Sequence, residues 1–207
     1  MSRGWPATLR EGRVALRPIA RSDREAWTSV RAVNRDWLAP WEATPPVDSG
    51  PPMSFAAMVR NLRSQARAGT LLPFVLTLDG ALVGQLTVGG ITYGSLCSGH
   101  VGYWIDARVA GRGVMPTAVA LAVDHCFQAL RLHRVEVNIR PENTASLRVV
   151  EKLGFRDEGL RKGYLHIAGE WRDHRSFALT AEEVPEGLLA RWRATRPTER
   201  GGRGFTS

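Results

Sequence analysis

Arg108-Val109-Ala-Gly111-Arg112-Gly113-Val114-Met115 lies after the strand-like run 100–106 and before a helix opening near Pro116, and its reading decides the fold. Glycines lack Cβ, so they adopt positive φ and let a ligand approach the backbone closely. Successive N–H groups then point into one concavity, and the start of the following helix adds partial positive charge. Such a turn cradles a pyrophosphate with backbone alone, and Arg108 and Arg112 add charge at its rim. A plain strand-to-helix turn that happens to use two glycines fits the same residues. Two nucleotide-loop alternatives fail on specific positions. A Walker-type loop ends in Gly-Lys-Ser/Thr where this chain has Gly-Val-Met. The dinucleotide fingerprint needs a third glycine near position 116, which is proline, and it sits after the first strand of its domain.

Working outward, the pattern is mixed. Residues 13–17 alternate polar and apolar as a half-buried strand does. Ser22 with Glu25 three residues on reads as a helix start, followed by Trp27, Val30 and Arg31. Phe55, Met58, Val59 and Leu62 are spaced as one helix face, and Gly69 ends it. Strand-like runs at 74–78 and 82–88 flank Asp79-Gly80, a short hairpin signal. Val119, Ala122, Val123, Cys126, Phe127 and Leu130 form a helical stripe after the glycine turn. Residues 134–140 alternate again, 144–153 read as a helix stopped by Gly154, and two strands follow near Tyr164 and over 172–179. The order is strand, two helices, three strands, helix, strand, helix, two strands: an α+β or mixed α/β sheet. Residues 1–185 are expected to form one domain, and 186–207 a basic tail, disordered from 196.

The composition narrows the classes. The chain has 207 residues with 43% hydrophobic content, enough for a core. Two cysteines, Cys97 and Cys126, argue against a disulfide framework and for a reducing compartment. Neither a signal-peptide core nor an apolar run of about 18 residues is found, so a soluble cytoplasmic protein without a membrane partner is expected. The net charge of +8 favours anionic partners such as a phosphate-rich cofactor or the ribosome. Arginine-rich sequences encoded by high-GC genomes show the same balance. Cys97-x-x-His100 and His125-Cys126 lack a matched second pair at ligand spacing, so no metal is expected. His133, His166 and His174 read as hydrogen-bonded structural residues. The seven tryptophans lack the ordered aromatic–basic interleaving of a single-strand nucleic-acid platform, so no direct sequence-specific nucleic-acid contact is expected.

Arg108, Gly111 and Gly113 satisfy each defined position of Gln/Arg-x-x-Gly-x-Gly/Ala, and Asn143-x-x-Ser146 leads a helix ending in Glu151-Lys-Leu-Gly-Phe155. The chain resembles the GNAT superfamily of acetyl-CoA-dependent N-acetyltransferases in both segments and in their order. Asn34-Arg-x-x-Leu38-x-Pro40-Trp41-Glu42 and Tyr164-Leu-x-Ile-x-Gly-x-Trp171-Arg-Asp-His174 resemble its RimJ-type ribosomal-protein-alanine branch. The resemblance spans roughly 13–180. It implies a GNAT fold: a central, mostly antiparallel mixed sheet, flanked by helices, with two neighbouring strands splayed so that the pantetheine arm lies between them. It also implies acetyl-CoA held by Tyr103, Ile105, Arg108, Val109, Gly111, Arg112, Gly113, Val114, Met115, Asn143 and Ser146. The implied reaction is acetyl transfer to the α-amine of a protein beginning with Ala, Ser or Thr, a ribosomal protein being one candidate. An amino-bearing small molecule as acceptor, or a non-catalytic acyl-CoA- or RNA-binding module, are the alternatives. Oligomeric state stays open, a homodimer included.

The chemistry asks for a neutral amine, a polarised thioester carbonyl and a proton for the thiolate. An α-amine with pKa ~7.7–8.0 is about one-tenth neutral at pH 7, against roughly one in 2500 for a lysine. A carboxylate acting through water therefore suffices as base. Glu42 is the candidate, either as base or as a solvated carboxylate attracting the ammonium. RimL-type members place a glutamate base on the strand after the second motif helix, where this chain has Leu165 between Tyr164 and His166. Ser146 is the candidate acid for the thiolate, or a plain first-turn serine. Asn143 is either the helix N-cap or a pantetheine partner. A backbone N–H near Ile105 polarises the carbonyl.

Overall fold

A computed structural model describes residues 4–47, 50 and 53–195. The elements, in chain order, are β1 (Leu9–Glu11), β2 (Val14–Pro18), α1 (Arg24–Val33), α2 (Arg35–Leu38), α3 (Phe55–Ala68), β3 (Leu72–Leu78), β4 (Ala81–Thr92), β5 (Ser98–Ile105), α4 (Val114–Gln128), β6 (Arg134–Ile139), α5 (Thr144–Leu153), β7 (Arg156–Ile167), β8 (Glu170–Thr180) and α6 (Leu188–Thr195). The strands form one sheet in the order β1-β2-β3-β4-β5-β6-β8-β7. Each neighbouring pair is antiparallel except β5–β6, which is parallel. The mixed, mostly antiparallel sheet expected from the sequence is what forms.

Both sheet faces are covered, as the burial of β3 makes plain. Leu72, Phe74 and Leu76 point into the larger core, with α4, α5 and α6. Val75, on the opposite face, packs with Ile19, Val30, Val59 and Leu82 under α1 and α3. Alternation along β6 sends Val135, Val137 and Ile139 into the larger core. Helix α4 is buried along most of its length, because it lies between the sheet and α6, and the whole stripe from Val119 to Leu130 is inside. Among the described residues no helix is long and apolar enough to cross a membrane.

Three readings change. The start of the first helix is not set by Ser22. Asp23 accepts from the Ala20 N–H at 2.8 Å and pairs with Arg17, so the cap lies across a short 3₁₀ turn ahead of Arg24. The strand β1 was not expected; three residues are too few to carry a periodic signal. The expected tail is ordered at its start: residues 188–195 form α6, with Leu188 and Trp192 buried. Asp124 of α4 accepts the Leu188 N–H at 2.6 Å and the Leu189 N–H at 3.0 Å, which caps that helix from outside its own sequence. Residues 196–207, expected to be disordered, lie outside the described residues, as does part of the Pro-rich loop 44–52.

The β5–β6 pairing is short. It runs from Ser98↔Arg134 to His100↔Glu136, after which β5 continues beside β4 alone and β6 beside β8 alone. The strands are splayed from that point. At the open end Gly84 is needed for close approach: a Cβ there would stand 2.4 Å from the Trp104 carbonyl oxygen, which is backbone and cannot swing away. Gly84→Ala should therefore cost about 1–3 kcal/mol through forced backbone movement. Gly102→Ala, whose Cβ meets nothing within 4 Å, serves as control and should melt close to wild type. Equal melting temperatures for the two variants would contradict the close approach.

Candidate functional site

The glycine turn is built from the end of β5. The Asp106 N–H donates to the Val83 carbonyl at 2.8 Å, which holds the residue just after the strand on β4. The Asp106 carboxylate is buried and accepts the Arg108 N–H at 3.0 Å and the Arg108 Nε at 2.9 Å and 3.0 Å. From the other side, buried Asn34 accepts the Ala107 N–H at 2.9 Å while its amide donates to the Val30 carbonyl at 2.9 Å. The turn is thus tied to the end of α1. The Arg108 guanidinium, working against the cost of burial, holds the Asp106 carboxyl below the usual carboxylate range.

Gly111 and Gly113 have φ of +78° and +80°, a conformation that L side chains rarely adopt. An added Cβ at Gly113 would meet the Trp192 ring at 3.5 Å, ordinary contact, so glycine is required there for its backbone angles rather than for space. Gly113 is the N-cap of α4, and the N–H groups of Val114 and Met115 have no intrahelical acceptor. Pro116 carries no N–H at all. The turn therefore presents backbone donors without a competing partner.

A second set of donors lies on β5. Asp106 bonded to Val83 fixes the alternation of the β4–β5 ladder, so Gly102 and Trp104 bond to β4 while Tyr103 and Ile105 turn their N–H and C=O groups toward the splay. The Trp37 indole confirms this by donating to the Ile105 carbonyl at 3.1 Å.

Between these parts runs a cleft of about 670 Å³. Gly111, Gly113 and Met115 of the turn line it together with Tyr103, Ile105, Asn143 and Ser146 and with Trp37, Trp41 and Glu42. Asn143 is the cap of α5: its Oδ1 accepts the Ser146 N–H at 3.0 Å. That bond uses the oxygen and leaves the amide Nδ2 as a donor, so capping and ligand binding are compatible. The Tyr103 hydroxyl is buried without a hydrogen bond of ordinary geometry. Burial pushes its pKa well up, and the neighbouring Ser146 hydroxyl draws it back, so the phenol stays a neutral donor.

Glu42, in the cleft lining, is held by an ion pair of its own and by ties on its neighbours. It forms an ion pair with Arg31, whose guanidinium lies 4.9 Å from the Trp27 ring centroid and 5.5 Å from that of Trp104. Ala43 bridges to Ile167, and the Thr44 N–H donates to the His166 carbonyl at 2.9 Å. Arg140 donates to the Pro40 carbonyl at 2.8 Å and lies over Trp41. The Pro-Trp-Glu segment is pinned to the ends of both β6 and β7.

Eight of the residues singled out in the sequence thus meet in one cleft: Glu42, Tyr103, Ile105, Gly111, Gly113, Met115, Asn143 and Ser146. Four do not present side chains to it. Arg108 turns to Asp106, the nearest carboxylate; Val109 packs against the larger core and Val114 lies within it; Arg112 is exposed. None of those four lines the cleft. Asn34, Asp106, Arg31 and Trp37 were missed. Asn34 and Trp37 fall in the segment Asn34–Glu42, but nothing local in the sequence tells which atom each would bond. The histidines are hydrogen-bonded: His133 to Glu182, His166 to Thr44, His174 to the Arg172 carbonyl.

The model of the acetyltransferase (GNAT) domain family matches residues 13–156. Over 169 residues, 80% of this chain and 87% of the relative, the chain is 30% identical to the [ribosomal protein uS5]-alanine N-acetyltransferase of Escherichia coli. It is 40% identical over 101 residues, 49% of this chain and 56% of that protein, to a probable N-acetyltransferase, YjcK, of Bacillus subtilis. Among solved structures, RimJ of Mycobacterium smegmatis in complex with CoA-disulfide superposes with a TM-score of 0.88 at 42% identity, over 94% of this chain and 97% of that one.

The Asp106 knot gives a pH test. Its pKa is depressed in the folded chain, so the stabilisation is present above the unfolded value of ~3.9 and is lost as pH falls through the folded value. Asp106→Asn should lower the melting temperature by about 5 °C near neutrality. The gap to wild type should close as the pH drops below ~3.9. A gap that stays constant with pH would mean that the carboxylate's charge is not what fastens the turn.

Proposed function

We propose, for a chain that belongs to the GNAT acetyltransferase family, that it transfers acetyl from acetyl-CoA to the N-terminal α-amine of a protein beginning with Ala, Ser or Thr, a ribosomal protein being the favoured acceptor. The observation that carries this reading is the continuity of the cleft, which joins the backbone-donor turn, the unpaired edge of β5, Ser146 and Glu42. The names of the Escherichia coli and Mycobacterium smegmatis relatives support the acceptor and the co-substrate respectively. A ribosomal acceptor places the reaction in the cytoplasm.

Acetyl-CoA fits on two counts. A pyrophosphate needs N–H donors that lack protein partners, and the turn at Gly111–Met115 has them. A pantetheine arm carries amides that can pair with a strand edge, and the N–H and C=O groups of Tyr103 and Ile105 face the splay. Asn143 Nδ2 is a further donor.

The amine nitrogen attacks the thioester carbon, and negative charge builds on the carbonyl oxygen. The Ile105 N–H, fixed in the sheet before the reaction begins, stabilises that charge without reorganising. As the C–S bond breaks, the thiolate takes the Ser146 hydroxyl proton while the serine oxygen takes one from water in the cleft, so Ser146 ends neutral, with the neutral Tyr103 phenol beside it. The amine's surplus proton passes through water to Glu42, which returns it to solvent. Arg31 occupies the Oε1 of Glu42 and leaves Oε2 for the acceptor side. The base is a single carboxylate acting through water. It is adequate for an α-amine, which is about one-tenth neutral at pH 7, and inadequate for a lysine.

Peptides with free N-terminal Ala, Ser or Thr should be acetylated on the α-amine, as read by mass spectrometry. Equal rates for N-terminally blocked, lysine-containing peptides, or for amino-bearing small molecules alone, would contradict the acceptor assignment. Ser146→Ala should lower kcat by ~10²-fold, with the KM for acetyl-CoA close to wild type. Glu42→Gln should lower kcat and recover in part at high pH, where more of the amine is neutral. If Glu42→Gln instead raises only the KM for peptide, its carboxylate attracts the ammonium and the base is elsewhere.

A further inference from the structure

The turn that carries the backbone donors is not held from the cleft side alone. Behind it lies α6, from the region beyond residue 185. The Trp192 Nε1 donates to the Thr117 hydroxyl at 2.9 Å, and that hydroxyl donates to the Gly113 carbonyl at 2.9 Å. Each group has one proton to give and uses it in the same direction, so the two bonds form a single chain from α6 to the glycine. The Trp192 ring is buried. It also lies 3.5 Å from the place where a Cβ on Gly113 would stand, and so fills the space behind the turn.

Helix α6 is itself fixed on several sides. Asp124 caps its first turn at 2.6 Å and 3.0 Å. Arg193 reaches Glu11 on β1 with its Nε at 2.7 Å. Arg191 bonds the Glu183 carbonyl and approaches the Leu153 carbonyl at the end of α5 at 3.5 Å. The helix therefore bridges α4, α5 and the sheet edge, and its Trp192 reaches the hydroxyl of Thr117, which bonds the Gly113 carbonyl of the turn. The Gly113 carbonyl also accepts the Thr117 N–H at 3.2 Å, so the hydroxyl bond, backed by Trp192, is a second hold on a plane whose glycine has no side chain to restrain it. The Gly113 carbonyl sets the plane whose other end is the Val114 N–H, one of the donors of the turn.

We propose that Trp192 is a positioning residue for the cofactor turn: through Thr117 it fixes the Gly113–Val114 peptide plane so that the N–H groups at the start of α4 are preset toward the diphosphate of acetyl-CoA. The inference rests on the reading of this turn as the acetyl-CoA site. It makes the segment after residue 185 part of the co-substrate machinery, although none of its residues lines the cleft. Presetting donors removes an ordering cost from binding, so its loss falls on affinity rather than on the chemical step.

The test uses the full chain and CoA itself as probe. Calorimetry should give a Kd for CoA raised about three- to tenfold in Trp192→Phe, the size of one neutral hydrogen bond. Thr117→Val, which keeps the side-chain shape, should do the same even where the larger change perturbs folding. The double variant should be no weaker than the single ones, because both remove one chain of bonds. At saturating acetyl-CoA, kcat should stay near wild type while the KM for acetyl-CoA rises. Folded variants that bind CoA as wild type does would overturn the brace alone. So would losses that simply add in the double variant, since they would mean separate effects on packing. A wild-type chain that fails to bind CoA would overturn the reading of the turn and the brace with it.

Discussion

Pairing between β5 and β6 lasts from Ser98–Arg134 to His100–Glu136 and then stops, while both strands run on. A strand edge inside a covered sheet is costly, because buried backbone N–H and C=O groups need partners. At Ile105 the carbonyl finds one in the Trp37 indole, borrowed from α2. The facing N–H groups are available to a ligand whose own amides match them. Much else in the molecule serves to keep this gap open at the right place. Gly84 allows β4 and β5 to approach closely at the open end of the gap. Asp106 ends β5 on a bond to Val83 and starts the glycine turn with its carboxylate, so that edge and turn are one rigid piece. Asn34 fastens that piece to the helix whose end leads to Trp37 and Glu42.

The electrostatics follow from the same arrangement. The net charge of +8 invites the picture of a basic surface reaching for phosphates. In the structure, much of the arginine charge is engaged inside the chain. Arg108 is turned to Asp106, Arg31 to Glu42, Arg193 to Glu11, and Arg134 to Glu136 and Glu158. Among the residues lining the cleft, Arg148 and Lys152 are the cations not placed in an ion pair above. On the proposed function, the turn itself offers an anion backbone dipoles, which do not depend on side-chain rotamers and hold their geometry before the ligand arrives.

The sequence made the fold legible where a pattern repeats and the site legible where a motif sits on one element. The stripe on α4, the alternation in β6, the hairpin at Asp79-Gly80 and the cap-to-glycine run from Asn143 to Gly154 each carry their own signal over enough residues. The two glycines and Asn143-x-x-Ser146 do so for the site. What stayed hidden is long-range. Asp106 and Arg108 are two residues apart, yet nothing in Asp-x-Arg says that the pair turns inward and away from the ligand. Arg31 reaches Glu42 only because α1 and the Pro40-Trp41 corner fold back on each other. The N-cap of α6 comes from Asp124, and polar, basic composition after Pro185 read as tail because the residues that bury Leu188 and Trp192 lie on α4 and the sheet. A local rule sees propensity and periodicity; it does not see partners separated by scores of residues.

On the proposed function, the N–H groups of Tyr103 and Ile105 face an unpaired edge that acetyl-CoA completes. Residue-resolved amide hydrogen exchange on β5, with and without CoA, reads this directly. Gly102 and Trp104, bonded to β4, should be protected in both states. Tyr103 and Ile105 should exchange faster than these in the free chain and become protected on adding saturating CoA. If all four amides are equally protected before CoA is added, or if Tyr103 and Ile105 are unchanged by it, the edge is not the binding surface and the account is wrong.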